Sequence, residues 1–436
     1  MNKTRLFKKS LLAVTITTAT LASQQALAAG FQLNAQSATG IGRAFAGDAV
    51  IADNASVMAR NPAAMALFDK TELSLGFESI TSMIEVKDAK YTHMDGIDFS
   101  QLPNLVPAYS TTEANYDDAG DTSIAPNIHL IVPVNDTFAW GINAYSNFGT
   151  KTEFSDDYVA SEYAGLTDVK SMNIGLAGSL RINEQWSVGA GLDLIYGQGK
   201  LERNLSNELN VPGKPQLTGA KALDADASGF ALGFNVGTVY ELDENNRFGF
   251  SYRYSPTLAA KGDIYYDGQE QSDTLYMPLP DMAEFSGYHR IEDTKFAVHY
   301  SVQYIGWGVF DKLEADKAGE LNTYEWQTGM HYALGGTYYL NQDWTLRAGY
   351  MYDTSAQDKV TSISVPDSDR QWFSAGFTYH LDSKSNIDFG FTYLMGKDVD
   401  VKESQYDDAT GALVSSIEAT THADAILLGL QYSRSF

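Results

Sequence analysis

Phe296-Ala297-Val298-His299-Tyr300-Ser301-Val302-Gln303-Tyr304 is the stretch that decides the fold. Phe296, Val298, Tyr300, Val302 and Tyr304 share one phase, and the residues between them are small or polar. Successive side chains of an extended chain point to opposite faces, so this is a strand with one apolar and one mixed face. Ile387, Phe389, Phe391, Tyr393 and Met395 repeat the pattern, as do Trp344, Leu346, Ala348, Tyr350 and Tyr352, and Trp186, Val188, Ala190, Leu192, Leu194 and Tyr196. A tilted strand needs roughly 9–11 residues to cross a bilayer, whereas soluble strands average about 5–6. These segments match the longer length.

The connections alternate between short and long. Short polar turns are read near Asn135-Asp136, Asn183-Glu184, 243–246, 292–294, 341–343 and 382–385. Between them run long acidic loops, at about 87–123, 149–168, 203–227, 265–280, 313–326, 354–368 and 403–417. Six turns and seven loops connect fourteen strands. An even strand number with turns on one side and loops on the other is the pattern of an outer-membrane barrel. The chain ends Ile426, Leu428, Leu430, Tyr432, Arg434, Phe436 in one phase. That suits a last strand pairing with the first to leave no edge. Trp140, Trp186, Trp344 and Trp372 are assigned to interfacial girdles. A soluble β-sandwich would alternate too, but not with this strand length and loop asymmetry.

Composition narrows the function. Among 436 residues, 30 are basic and 55 acidic, a net charge of −25. Residues 1–28 carry Lys3, Arg5, Lys8 and Lys9 and no acid; without them 26 basic residues face 55 acidic ones, a net of −29. Such a chain lacks the basic face that nucleic acid requires. With no cysteine, disulfides, thiolate metal sites and cysteine nucleophiles are excluded. The basic start, the apolar run Leu11–Ala22 and Ala26-Leu27-Ala28 read as a secretory signal peptide, 1–28. No later stretch is long and apolar enough for a transmembrane helix.

Residues 29–70 break the alternation. Small residues dominate, and Asn61-Pro62 breaks any helix. A fourteen-stranded lumen is too wide for its own side chains to fill. The segment is therefore assigned to a plug inside the barrel of residues 71–436.

No catalytic or metal motif stands out. The seven histidines are scattered, without metal-ligand spacing. The acidic groups Asp117-Asp118 with Asp121, Asp156-Asp157 and Asp407-Asp408 suggest Ca²⁺ or divalent bridging to lipopolysaccharide; solvated loops are the better reading, since none has calcium-loop spacing. The inner faces carry no opposed charge ladder of a diffusion pore. The loop residues Ile97, Phe99, Leu102, Leu105, Val106 and Tyr109 offer an apolar landing site, or ordinary packing at the mouth.

Several motifs carry a family resemblance. Gly30-Phe31-Gln32-Leu33-Asn34, Gly40-Ile41-Gly42-Arg43-Ala44-Phe45-Ala46-Gly47, Ala52-Asp53-Asn54-Ala55 and Arg60-Asn61-Pro62-Ala63-Ala64 resemble the start of the FadL family of outer-membrane transporters. Pro126-Asn127-Ile128-His129, Ser146-Asn147-Phe148-Gly149, Lys200-Leu201-Glu202-Arg203, Leu279-Pro280 with Ser286-Gly287-Tyr288, and Ile363-Ser364-Val365-Pro366-Asp367-Ser368-Asp369-Arg370 extend it through the chain. The resemblance implies a monomeric all-β fold: a 14-stranded antiparallel transmembrane β-barrel with an N-terminal plug, or hatch, in the lumen. It implies a transporter of long-chain fatty acids or other hydrophobic compounds, without cofactor or catalysis. Substrate would be caught outside, held in an apolar pocket and released sideways through a kink in the third strand. Residue by residue, Asn147, Phe148 and Gly149 match that kink. Asn61, Pro62 and Ala63 match the hatch motif that meets it. Phe31 matches the hatch N-terminus beside the pocket, and Arg203 an arginine for the carboxylate. A second basic position falls at Glu314, with Lys312 nearby, which leaves the head group open. Aromatic or other small hydrophobic substrates are the main alternative, a general diffusion porin a lesser one. The expected partners are the hydrophobic substrate, outer-membrane lipid and lipopolysaccharide. The long loops leave room for a phage- or adhesin-receptor role.

Overall fold

In the computed structural model, the structure describes residues 30–34, 36–98, 106–212, 214–266, 268–407 and 410–436. The signal segment 1–28, the loop residues Phe99, Leu102 and Leu105, and Asp408 lie outside the described residues. The alternating segments close into a fourteen-stranded antiparallel barrel. Its strands are β1 (Glu72–Asp98), β2 (Val106–Glu113 and Thr122–Pro133), β3 (Phe138–Tyr145 and Gly149–Glu153), β4 (Leu166–Arg181) and β5 (Trp186–Asn204). Then come β6 (Lys221–Glu241), β7 (Asn246–Tyr254 and Leu258–Tyr266), β8 (Gln269–Met277 and Met282–Arg290), β9 (Phe296–Ile305 and Lys312–Ala315) and β10 (Gly319–Thr323 and Gly329–Tyr339). β11 (Trp344–Asp353), β12 (Arg370–His380), β13 (Ser385–Met395 and Val399–Tyr406) and β14 (Leu413–Ser435) complete the ring. Closure runs from Glu72 opposite Ser435 to His93 opposite Ser415. The Phe436 amide donates to the Thr71 carbonyl at 3.0 Å.

All six short turns fall where the sequence puts them. Five are tight because an Asn carboxamide or Asp carboxylate satisfies the amides of the bend, and in the sixth Thr294 Oγ1 accepts from the Phe296 amide at 3.1 Å. Asn183 Oδ1 accepts from the Gln185 and Trp186 amides at 2.9 and 2.8 Å. Asn135 and Asn341 do the same. On the outside, Leu192, Phe230, Leu232 and Leu334 are exposed. Trp186 packs on Tyr240 and Trp344 on Tyr379. Among the described residues no helix is long and apolar enough to cross a membrane, and an apolar outward face is what a lipid-spanning barrel presents.

Two expectations need correction. Several of the long loops are partly strand: β1 runs for 27 residues and β14 for 23. Beyond the lipid both faces become polar, so the hydrophobic alternation disappears although the backbone ladder continues. Trp372 is not a girdle residue. It is fully buried, points inward and packs edge-on against Phe45 at 5.8 Å.

Residues 30–34 and 36–68 lie inside the ring and are almost wholly buried. Their bonds reach strands around the circumference. The Gly47 amide donates to Ser301 Oγ (2.9 Å), the Ala49 amide to Ser286 Oγ (3.1 Å) and the Ala55 amide to Ser74 Oγ (3.0 Å). Thr392 Oγ1 donates to the Ile41 carbonyl at 3.1 Å. Arg43 binds Asp48 and Asp53, and Arg347 of the wall reaches Asp53 at 3.2 Å. The wall makes room where the segment comes closest: a Cβ on Gly349 would collide with the Arg43 carbonyl, and one on Gly189 with the Pro62–Ala63 peptide.

Candidate functional site

β3 leaves the barrel ladder at 146–148. Up to Tyr145 it pairs with β4, opposite Asn173; from Gly149 it pairs with β4 again, opposite Lys170. Between these points part of its backbone is satisfied by the buried N-terminal segment. The Leu33 amide donates to the Asn147 carbonyl (2.6 Å), the Gly149 amide donates to the Phe31 carbonyl (2.9 Å), and Gln32 bridges Phe148. The Asn147 side chain accepts from Gln36 Nε2 at 3.1 Å. Gly149 is not in the left-handed region. The bend rests on these borrowed hydrogen bonds rather than on a glycine backbone, which differs from the sequence reading.

The bend is met by 31–33 and Gln36, not by Asn61-Pro62-Ala63. Asn61 Nδ2 donates to the carbonyls of Ala49 (2.8 Å) and Thr238 (3.0 Å), and its Oδ1 accepts from the Ala63 amide. The motif is therefore seated on β5 and β6, toward the short-turn end.

Phe31 and Phe148 meet in an aromatic cluster the sequence reading did not assemble. Phe31 lies 4.5 Å from Trp307, 5.3 Å from Phe310, 5.5 Å from Trp326 and 6.3 Å from Phe148. These rings come from β9, β10 and the kink, distant in sequence. Beside them a slot is walled by Val169, Leu201, Leu275, Met277, Leu313 and Val365. Its unfilled space is about 20 Å³, on the order of one water. The Phe31 ring forms part of its wall.

Leu201, Leu313 and Tyr324 also border a second, polar chamber of about 250 Å³. Arg203 faces it from β5 and Glu403 from β13. The outward apolar run of β5 ends at Tyr196 and that of β13 at Met395, so both groups stand beyond the membrane-spanning part. Arg203 donates to the Leu166 and Glu202 carbonyls (2.6 and 2.8 Å) and to Thr167 Oγ1 (2.7 Å). Desolvation lowers its pKa. Glu403 accepts from the Ile363 amide (3.0 Å) and Ser362 Oγ (3.3 Å), and desolvation pushes its pKa up to about 7. Glu314 points away from both cavities, and Lys312 is tied to Glu320 on the outside at 2.5 Å. Neither contributes charge to the chamber.

A second network joins Asp367 and Arg370, which lie in a quoted motif, to His331 and Asp353, which lie in none. His331, Asp353, Arg370 and Asp367 are all buried. His331 Nε2 lies 3.2 Å from Asp353, which also meets Arg370; Arg370 binds Asp367 at 2.5 Å. Asp367 then accepts from the Gly30 amide (3.3 Å) and the Ala356 amide (2.6 Å). It fixes the end of the segment that completes the wall. Of the acidic loop residues, Asp121 binds Lys151 and Asp407 binds Lys214. Among the described residues no three His, Cys, Asp or Glu side chains gather as a metal site.

The model of the outer membrane protein transport protein family (OMPP1/FadL/TodX) matches residues 19–436. The chain belongs to this family. It is 35% identical to the long-chain fatty acid transport protein of Escherichia coli O6:H1 over the whole of both chains. It is 34% identical to outer membrane protein P1 of Haemophilus influenzae, covering 99% of each. Its fold matches a Pseudomonas aeruginosa FadL homologue (TM-score 0.81, 21% identity, 94% and 100% covered) and the Pseudomonas putida toluene transporter TodX (TM-score 0.64, 17% identity, 93% and 99% covered). As a barrel of the FadL family the chain is a protein of the Gram-negative outer membrane.

Proposed function

We propose that this protein carries long-chain fatty acids or similar amphiphiles from the cell exterior into the outer membrane, as a monomer and without catalysis. The closeness of the polar chamber to the apolar slot, which share Leu201, Leu313 and Tyr324 as lining, supports this reading above all. An amphiphile placed across the two meets Arg203 with its head and the cage of Phe31, Trp307, Phe310 and Trp326 with its chain. Each buried methylene contributes roughly 0.8 kcal/mol, enough to draw a chain from water without an energy source.

Residues 29–70 serve as the hatch after removal of 1–28. Because the slot is filled, the chain enters by displacing Phe31. That displacement withdraws 31–33 from 147–149 and opens the wall beside β3, through which the chain leaves into lipid. The same aromatic cage suits a planar aromatic hydrocarbon, which is the second reading.

The test is uptake of labelled oleate and labelled toluene by a bacterial host that lacks its own outer-membrane fatty-acid transporter. Oleate uptake should appear with the chain and fall at least about tenfold in Arg203→Ala, the loss of one charge-assisted pair. Toluene uptake alone would favour the second reading.

A further inference from the structure

The chamber holds one base and two acids. Among the described residues that line it, Arg203 is the base; Glu403 and Glu162 are the acids. Arg203 already gives three of its five N–H groups to protein oxygens. Glu403 faces the same space with no nitrogen–oxygen contact to Arg203 within 4 Å, yet close enough for the two charges to act on each other. Glu162 is buried, accepts from Tyr91 Oη and Ser415 Oγ (2.7 Å each) and has one oxygen without a partner. The remaining titratable groups facing Glu403 are Tyr158 and Tyr163 of the segment before β4, and Tyr324 of the segment after β10 begins. All three are phenols. Packed on its other side are Ser362 and the Ile363 amide, and on its own strand Lys402 turns outward to Glu418.

A carboxylate entering this chamber would therefore bring a further negative charge to a site whose one cation already faces Glu403. We propose that the chamber accepts one ionised carboxyl, not two, so that a carboxylate-bearing amphiphile binds together with a proton shared between its head group and Glu403. The proton comes from solvent; of the two carboxyls that face Arg203, the ligand's and that of Glu403, one is then ionised and one protonated, while Glu162 stays bonded to Tyr91 and Ser415. This rests on the amphiphile reading above and deepens it: Glu403 sets head-group preference toward acids in their protonated form and neutral heads such as alcohols.

The sign follows from linkage. The complex holds a proton that the free partners lose as pH rises, so affinity falls with increasing pH. Burial of Glu403, which holds its pKa at about 7, puts that fall in the neutral range.

The test is titration of the folded, full-length mature chain in non-ionic detergent with oleyl alcohol, oleate and dodecyl sulfate between pH 5.5 and 8.5, read by Trp307 and Trp326 fluorescence. Oleyl alcohol should bind equally across the range, oleate should weaken about tenfold per pH unit above 7, and dodecyl sulfate, which cannot carry the proton, should gain from acid pH through Glu403 alone. Glu403→Gln should strengthen dodecyl sulfate at pH 8 about tenfold and leave oleyl alcohol within about twofold, which also shows that the variant is folded. Glu403→Asp should retain the wild-type slope. Dodecyl sulfate binding that is flat with pH and unchanged in Glu403→Gln overturns the proposal, while binding of oleate and oleyl alcohol would leave the amphiphile reading standing. Binding of none of the three at any pH overturns that reading itself.

Discussion

Gly30 shows how much one residue can hold. Its φ is +63°, in the left-handed region, and a Cβ there would collide with the rings of Trp326 and Trp307. A side chain costs about 1–2 kcal/mol for the backbone alone. Gly30→Val should therefore push 30–33 from its place while the strands stay folded. The expected result is an oleate affinity lowered about tenfold and tryptophan emission shifted to the red, both read in one fluorescence titration; an unchanged spectrum would contradict the role given to this segment. Gly30, Phe31 and Arg203 were legible in the sequence because a family motif surrounds each. Trp307, Trp326 and Glu403 were not. They sit on different strands and become neighbours only when the barrel closes, and no spacing rule links residues so far apart in the chain. Glu314 illustrates the converse. A position aligned by sequence alone faces the wrong way, because side-chain direction in a strand inverts with each residue.

Among the strands, the membrane-spanning parts were readable and the upper parts were not. Period two gives the strand count, the turns and the outward face wherever lipid demands apolar residues. Above the lipid that demand ends, and the sequence of β1 beyond Val86 looks like loop although its ladder runs on to Asp98. The upper hairpin of β1 and β2 adds ladder bonds but buries little against lipid. Replacing residues 95–109 by a short turn should leave the barrel folded. It should still migrate as a compact species on unheated electrophoresis gels, with an unfolding midpoint lowered by less than about 5 °C. Loss of the compact species would show that the upper ladder is needed for closure. β3 is the opposite case. Its bend was located by motif, but its cause lies in a partner 114 residues away in the chain, Leu33 against Asn147, and local sequence does not encode such a partner.

At the scale of the whole molecule, the buried segment has two regions with different duties. Residues 38–68 are fastened by backbone and charged contacts around the ring, whereas 31–33 complete one strand. A chain without cysteine lets these be locked separately. A bridge between Gln32→Cys and Phe148→Cys should stop oleate uptake and release it on reduction. A short bismaleimide bridge between Ala49→Cys and Ser286→Cys should leave uptake within about twofold, since the contact it joins is already made (3.1 Å between the Ala49 amide and Ser286 Oγ). Equal effects from the two bridges would mean that the segment moves as one body.

The way β3 is completed also limits how long the wall can stay open. When 31–33 withdraw, the Asn147 carbonyl and the Gly149 amide lose their partners near the edge of the hydrocarbon. Unpaired backbone groups in that setting cost several kcal/mol. On the proposed route resealing would thus be the downhill direction, and the gap would persist only while a passing molecule stands in for the missing strand. The same few amides that let the cargo through would then also suppress leakage.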